Sequence, residues 1–136
     1  MSRQGPALTV DCVVFDAEER LLLIRRGKPP FEGMHALPGG FVDLGERAEE
    51  AAARELAEET GIEARPERLI GVYSDPARDP RGHVVSVAFL FRLPPDAPAP
   101  RGGGDAAAAA FHADWRELDL AFDHAQILDD ALKTPS

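Results

Sequence analysis

Residues 40–62 constrain this chain more than any other stretch. They hold seven acids (Asp43, Glu46, Glu49, Glu50, Glu55, Glu58 and Glu59) and two bases, Arg47 and Arg54. Their net charge of −5 is more than half of the −9 carried by the whole chain. Residues 47–60 are dense in Ala, Glu, Leu and Arg, the strong helix formers. Glu49 and Glu50 stand in the expected first turn, where the helix dipole favours anions. Gly61 stands where a left-handed C-cap belongs. In such a helix Glu55, Glu58 and Glu59, at i, i+3 and i+4, fall within one arc of roughly 100°. Like charges so placed repel by a few tenths of a kcal/mol per exposed pair. A divalent cation turns that repulsion into affinity, and oxygen-only ligands suit Mg²⁺ or Mn²⁺ rather than zinc. Arg54, four residues before Glu58, can pair with it and hold one carboxylate in place. Ala51, one turn before Glu55, leaves room above the carboxylates. A solvated acidic helix face is the alternative. The flanking Pro38-Gly39-Gly40 turn favours the metal site, because glycine lets a backbone carbonyl come close to the same ion.

The rest of the chain reads as a single α/β domain over residues 1–136. Residues 8–15 and 21–24 are apolar and suit two strands joined by a polar turn. Asp11 interrupts the first of them. Residues 27–33, with Pro29 and Pro30, form a loop, and 37–40 a second break before a short segment at 41–42. Residues 69–73 and 84–91 read as strands. Residues 94–104 hold four prolines and three consecutive glycines and are expected to be a mobile loop. Residues 106–110 are ambiguous: propensity says helix, while length and position allow a strand. A final helix is expected over 122–132, with flexible ends at 1–6 and 133–136.

Composition excludes several function classes. With 24 acids against 15 bases, the chain lacks the basic footprint of non-specific nucleic-acid binding. It also lacks a polybasic membrane anchor. An anionic partner would need a cation between it and this protein. The one cysteine, Cys12, lies in an apolar run and is expected to pack as a small hydrophobe. No apolar run of signal-peptide or membrane-spanning length is present, so a cytoplasmic protein is expected.

Gly40, five residues, Glu46, seven residues, Arg54-Glu55-Leu56, one residue, Glu58-Glu59, one residue and Gly61-Ile62 together resemble the Nudix box at every defined position. The surrounding pattern is also similar to a Nudix hydrolase, from about Leu8 to Leu132. The resemblance implies an α/β/α sandwich around a mixed β-sheet. It implies a Mg²⁺ site, with Mn²⁺ as a substitute, formed by Glu55, Glu58, Glu59 and the Gly39 carbonyl. Arg54 matches the arginine that orients these glutamates, and Glu46 the outer acid that supports the network. Glu55 and Glu58 are candidates for the general base. The implied reaction is hydrolysis of a nucleoside diphosphate linked to another group. Bound metals would invert the local sign that an anionic substrate meets.

Residues 73–83 are similar to the corresponding segment of ADP-ribose pyrophosphatase-like members. Arg78 and Arg81 each offer a two-donor fork for a phosphate or carboxylate, or are solvated arginines of a surface turn. Pro76 lies about where that group carries a marker proline. Residues 120–128 resemble the same group's C-terminal helix start, with Asp123 placed to cap it and His124 either structural or ligand-facing. Strand alternation lets at most one of Arg25 and Arg26 face the site, and Arg26 is preferred. His35 stands where many relatives carry Trp, and either contacts substrate or fills space. Where relatives often carry an additional glutamate, this chain has Ala108. Asp105 is the nearest acid and could substitute only if its loop folds inward.

The expected activity is hydrolysis of ADP-ribose to AMP and ribose 5-phosphate. The alternatives are a pyrophosphohydrolase that removes oxidised dGTP, a non-catalytic ADP-ribose sensor, and an acidic scaffold with a decayed box. Sensors of this kind act through a fused DNA-binding domain, for which a chain of this length has no room. A homodimer is expected by resemblance alone.

Overall fold

Strand β1 (Ala7–Phe15) is buried over its last seven residues, which fits a central strand flanked on both faces. The computed structural model describes residues 5–133. Residues 1–4 and 134–136, where most of the expected flexible ends fall, lie outside the described residues. β2 (Leu21–Arg26) follows a polar turn in which Asp16 accepts hydrogen bonds from the Arg20 backbone N–H and Nε. β3 (His35–Ala36) and β4 (Gly39–Phe41) follow the loop, then helix α1 (Ala48–Thr60), β5 (Arg68–Tyr73), β6 (Val84–Arg92), β7 (Ala106–His112), a short 3₁₀ turn and helix α2 (His124–Lys133).

The sheet runs β3-β2-β1-β6-β5, with β4 on β1 and β7 on β2. β1 and β6 are parallel and the other pairs antiparallel, so the sheet is mixed. Alternation on β1 divides the core. Val10, Cys12 and Val14 face α1 and pack on Ala51, Ala52 and Leu56. Val13 and Phe15 face α2 and pack near Ile127 and Leu128. The outcome is the expected α/β/α sandwich. Cys12 is fully buried, as expected, and burial pushes its thiol well up.

The expected helix is present with its ends nearly as read. The Arg47 N–H donates to Glu50 at 3.1 Å, and Gly61 takes φ 75° at the C-cap. That left-handed turn favours glycine by roughly 1 kcal/mol. One open reading is decided and two are corrected. Residues 106–110 form a strand, because β2 offers an open edge that β7 pairs along its length. Residues 39–40 belong to strand β4 rather than to a break. Ala51 is buried in the core, so the room it leaves is filled by the sheet. The loop 94–104 lies against the end of α1: the Arg101 N–H donates to the Thr60 carbonyl at 2.9 Å.

Candidate active site

α1, β4 and the loops before β6 and α2 enclose a cavity of about 230 Å³ at one end of the sheet. Its wall on the α1 side carries Glu55 and Glu59, and β4 contributes Gly39, Gly40 and Phe41. Arg26, Arg78, Asp79, Arg81, Phe122 and His124 also line the cavity.

Arg54 organises the acids. Its Nε and Nη2 donate to Glu46 at 2.7 and 3.0 Å, and its Nη1 donates to Glu55 at 2.9 Å and to Glu58 at 3.2 Å. Nη2 also reaches the Phe41 carbonyl at 3.0 Å. The Arg54 bonds, helped by the Asp43 N–H, pull the Glu46 carboxyl down to about 2. Glu58 is half exposed and lies outside the cavity lining.

Glu59 is buried and accepts the Gly39 N–H at 2.7 Å. Burial, opposed by that hydrogen bond and reinforced by Glu55, Asp105 and Asp11, pushes its carboxyl up to about 8. Burial likewise raises Glu55, against the pull of Arg54. A Cβ on Gly40 would fall 2.5 Å from the Glu55 carboxyl carbon, so only glycine lets backbone and carboxylate face each other directly.

Among the described residues no three His, Cys, Asp or Glu side chains already converge into a metal cage. The donor set nevertheless fits a hard divalent cation. Its donors are all oxygens, and the buried Glu59 has three acidic neighbours raising its carboxyl. A bound cation would remove that penalty.

Arg26 faces the cavity, as preferred. Its guanidinium lies 5.0 Å from the centre of the Phe122 ring, and its Nε donates to the Pro30 carbonyl. Among the described residues it makes no ion pair within 4 Å. Burial, with Arg81 adding, lowers its pKa. Arg81 lies 5.2 Å from the Phe41 ring and 5.6 Å from the Phe122 ring, tethered by the buried carboxylate of Asp79 at 2.7 Å. Asp105 reaches the cavity mouth because the Gly27 N–H holds its carbonyl at 3.1 Å, and its carboxylate pairs with Lys28 at 3.0 Å. Ala108 pairs with Arg25 in the sheet and is not part of the lining.

Two residues expected to contact substrate, Arg78 and His35, have their side chains engaged within the fold. The Arg78 side chain is 4% exposed, and its fork grips Asp123 at 2.6 and 2.8 Å. It therefore joins the α2 entry to the sheet instead of offering an open fork, and Asp123 pairs with it rather than capping the helix. His35 is in register with Arg25 on β2, and alternation turns both away from the cavity. Its ring packs against His112 with centroids 5.0 Å apart.

Asp11, Phe41 and Phe122 are among the cavity residues that the sequence reading missed. Asp11 is buried and accepts from Ser86 at 2.5 Å and from His124 at 3.2 Å. Burial works against its charge, yet His124, Ser86 and Arg78 hold its carboxyl below the usual range. A lone acid inside a buried strand was the available signal. Phe41 and Phe122 carried none. Phe122 adopts φ 54°, unusual for an aromatic residue, and its ring meets Phe31 edge-on at 4.7 Å.

With this geometry in hand, residues 5–133 match the NUDIX domain family. An ADP-ribose pyrophosphatase of Methanocaldococcus jannaschii is 46% identical over 129 residues, covering 94% of this chain and 74% of that protein. The ADPR responsive transcriptional repressor NtrR of Acinetobacter baylyi is 33% identical over 93% of this chain, which spans only 53% of that protein's length. The crystallised NUDIX domain of Shewanella oneidensis NrtR, complexed with ADP ribose, superposes with a TM-score of 0.84 at 30% identity. That match covers 96% of this chain and 89% of the other. Among the described residues, no helix is long and apolar enough to cross a membrane.

Proposed function

The chain belongs to the NUDIX domain family, and on that premise we infer that it hydrolyses the diphosphate linkage of ADP-ribose to AMP and ribose 5-phosphate. The observation that carries this reading is the cavity itself, which Glu55 and Glu59 line together with Arg26, a cation that makes no ion pair within 4 Å among the described residues.

Glu55, Glu58, Glu59 and the Gly39 carbonyl would hold divalent cations, Mg²⁺ in the first instance and Mn²⁺ as its substitute. When bound, such ions polarise phosphoryl oxygens and make water more acidic. The remaining work belongs to the chain. Arg54 keeps Glu55 aimed into the cavity, and Glu46 keeps Arg54 from swinging away. Glu55 is better placed than Glu58 to accept the proton of the attacking water, because only Glu55 lines the cavity. Arg26 and Arg81 offer guanidinium donors to the diphosphate oxygens. The Phe41 and Phe122 rings offer flat apolar surface to a nucleobase.

The test is formation of AMP and ribose 5-phosphate from ADP-ribose with Mg²⁺ or Mn²⁺, comparing wild type with Glu59→Gln. No turnover by wild type, or equal turnover by both proteins, overturns the reading. ADP-ribose outcompeting oxidised dGTP eliminates the pool-cleaning alternative. A second reading, ADP-ribose binding without cleavage, draws on Ala108 and on the repressor relative. Calorimetry that found tight binding with no turnover would select it. The resemblance also suggests a homodimer, which light scattering would size.

A further inference from the structure

The Leu37-Pro38-Gly39 turn is held by a different element at each of its three residues. The Pro38 carbonyl accepts the Cys12 N–H of β1 at 2.8 Å. Proline has no N–H, so the turn has only two backbone donors. One, from Gly39, goes to Glu59 of α1 at 2.7 Å. The other, from Leu37, goes to Nδ1 of His124, the first residue of α2, at 3.0 Å.

The His124 ring is committed on both sides. Nδ1 accepts the Leu37 N–H, and Nε2 lies 3.2 Å from Oδ1 of Asp11. Asp11 is in turn fixed by Ser86 at 2.5 Å and lies opposite Gly39 in the β1–β4 register. His124 is 3% exposed and Asp11 7%, so neither bond is exchanged freely for water. The ring thus bridges the strand that backs Gly39 and the amide two residues before it.

We propose that His124 is a positioning residue for the metal-binding acid Glu59: it fixes the Leu37-Pro38-Gly39 turn from the α2 side, and the Gly39 N–H of that turn aims the Glu59 carboxylate. The idea rests on the reading of Glu59 as a metal ligand. It assigns His124 no contact with substrate or metal. No residue of α2 after His124 lines the cavity. His124 is the only residue of the helix whose side chain bonds the turn among the described residues.

The test compares three variants of the full chain. In His124→Asn an amide oxygen occupies the Nδ1 position and can still accept the Leu37 N–H. In His124→Gln that oxygen sits one bond further out and misses it. In Leu128→Ala the α2 side of the core cluster that includes Leu37 is weakened, while the Leu37 N–H keeps its ring acceptor. Two quantities are read: hydrogen exchange of the Gly39 amide in metal-free protein, and Mn²⁺ binding by paramagnetic resonance without nucleotide. The expectation for His124→Gln is Gly39 exchange faster by about 10-fold and Mn²⁺ affinity lower by about 10-fold or more, the range for losing a group that orients a metal ligand. His124→Asn should stay close to wild type in both. Leu128→Ala should lower Tm and leave Mn²⁺ affinity within a factor of about 3.

Equal behaviour of the Asn and Gln variants overturns the proposal. So does an Mn²⁺ loss in Leu128→Ala matching that of His124→Gln. The reading it rests on fails separately, if wild type itself binds no Mn²⁺; Gly39 exchange then still decides whether His124 fixes the turn. Wild type that binds Mn²⁺ and cleaves nothing would overturn the hydrolase assignment and leave His124 in its role.

Discussion

Arg54 and Glu46 meet in two parallel hydrogen bonds, Nε to Oε2 at 2.7 Å and Nη2 to Oε1 at 3.0 Å. Glu46 precedes α1 and Arg54 lies within it, so the fork ties the loop to the helix. It also leaves Nη1 free for Glu55 and Glu58. One planar cation thereby sets the direction of three carboxylates, a geometry that a lysine ammonium does not reproduce.

Arg54→Lys should therefore lower kcat on the order of 100-fold, the scale of misaligned reacting groups. Tm should change little, because the pairs are partly exposed and worth modest stability. Steady-state kinetics with a melting curve check both. A wild-type kcat would show that the fork is not needed for alignment.

Gly39→Ala and Gly40→Ala should fail in different ways. A Cβ on Gly39 would run into the Val10 carbonyl, which is backbone and does not give. That substitution should cost about 2 kcal/mol or more in chemical denaturation. A Cβ on Gly40 meets the end of the flexible Glu55 side chain at 2.5 Å. It should fold nearly as well and lose activity, because Glu55 must turn away.

The raised Glu59 carboxyl gives metal-free protein a pH signature. Between about 4.5 and 8 the folded state holds a proton on Glu59 that the unfolded state has lost. The unfolded state then binds fewer protons, and stability falls as pH rises through this window. Glu55 shifts the same way. The lowered acids Asp11, Asp16, Asp79 and Glu46 act below it, losing stability as pH falls. His35, lowered by burial and then by His112, opposes the trend just below its ordinary value. The wild-type minus Glu59→Gln difference in Tm isolates Glu59. It should decline steadily from pH 5 to 8 without metal and flatten with saturating Mg²⁺. A pH-independent difference without metal would contradict the raised carboxyl.

Arg78→Ala and Arg26→Ala should separate stability from binding. Removing Arg78 leaves the Asp123 carboxylate without its fork in a largely buried setting, at a cost of about 3–5 kcal/mol. Removing Arg26 strands no carboxylate among the described residues. It should leave Tm nearly unchanged and raise KM for ADP-ribose about 10-fold or more, the worth of a hydrogen bond to a charged group. Thermal melts and KM on the same preparations test the pair. An unchanged KM in Arg26→Ala removes it from the binding surface.

What the sequence determined by itself was local. The residues of α1 favour a helix through their own propensities, Gly61 ends it through a left-handed turn, and the spacing of Glu55, Glu58 and Glu59 follows from helix geometry alone. The early strands were legible for the same reason, since alternation and turn residues act within a few positions. The tertiary structure decided whatever depends on a distant partner. Ala106–His112 is a strand because β2 had an edge to pair, overriding alanine's helix preference. Arg78 and Arg81, three residues apart and chemically alike, diverge because Asp123 claims one and Asp79 the other. Asp11 and His124 come from opposite ends of the chain: Asp11 carries no site reading and His124 an undecided one until the sheet brings β1 and α2 together. Spacing along one helix is set by backbone geometry, whereas pairing across elements exists only once the core has packed.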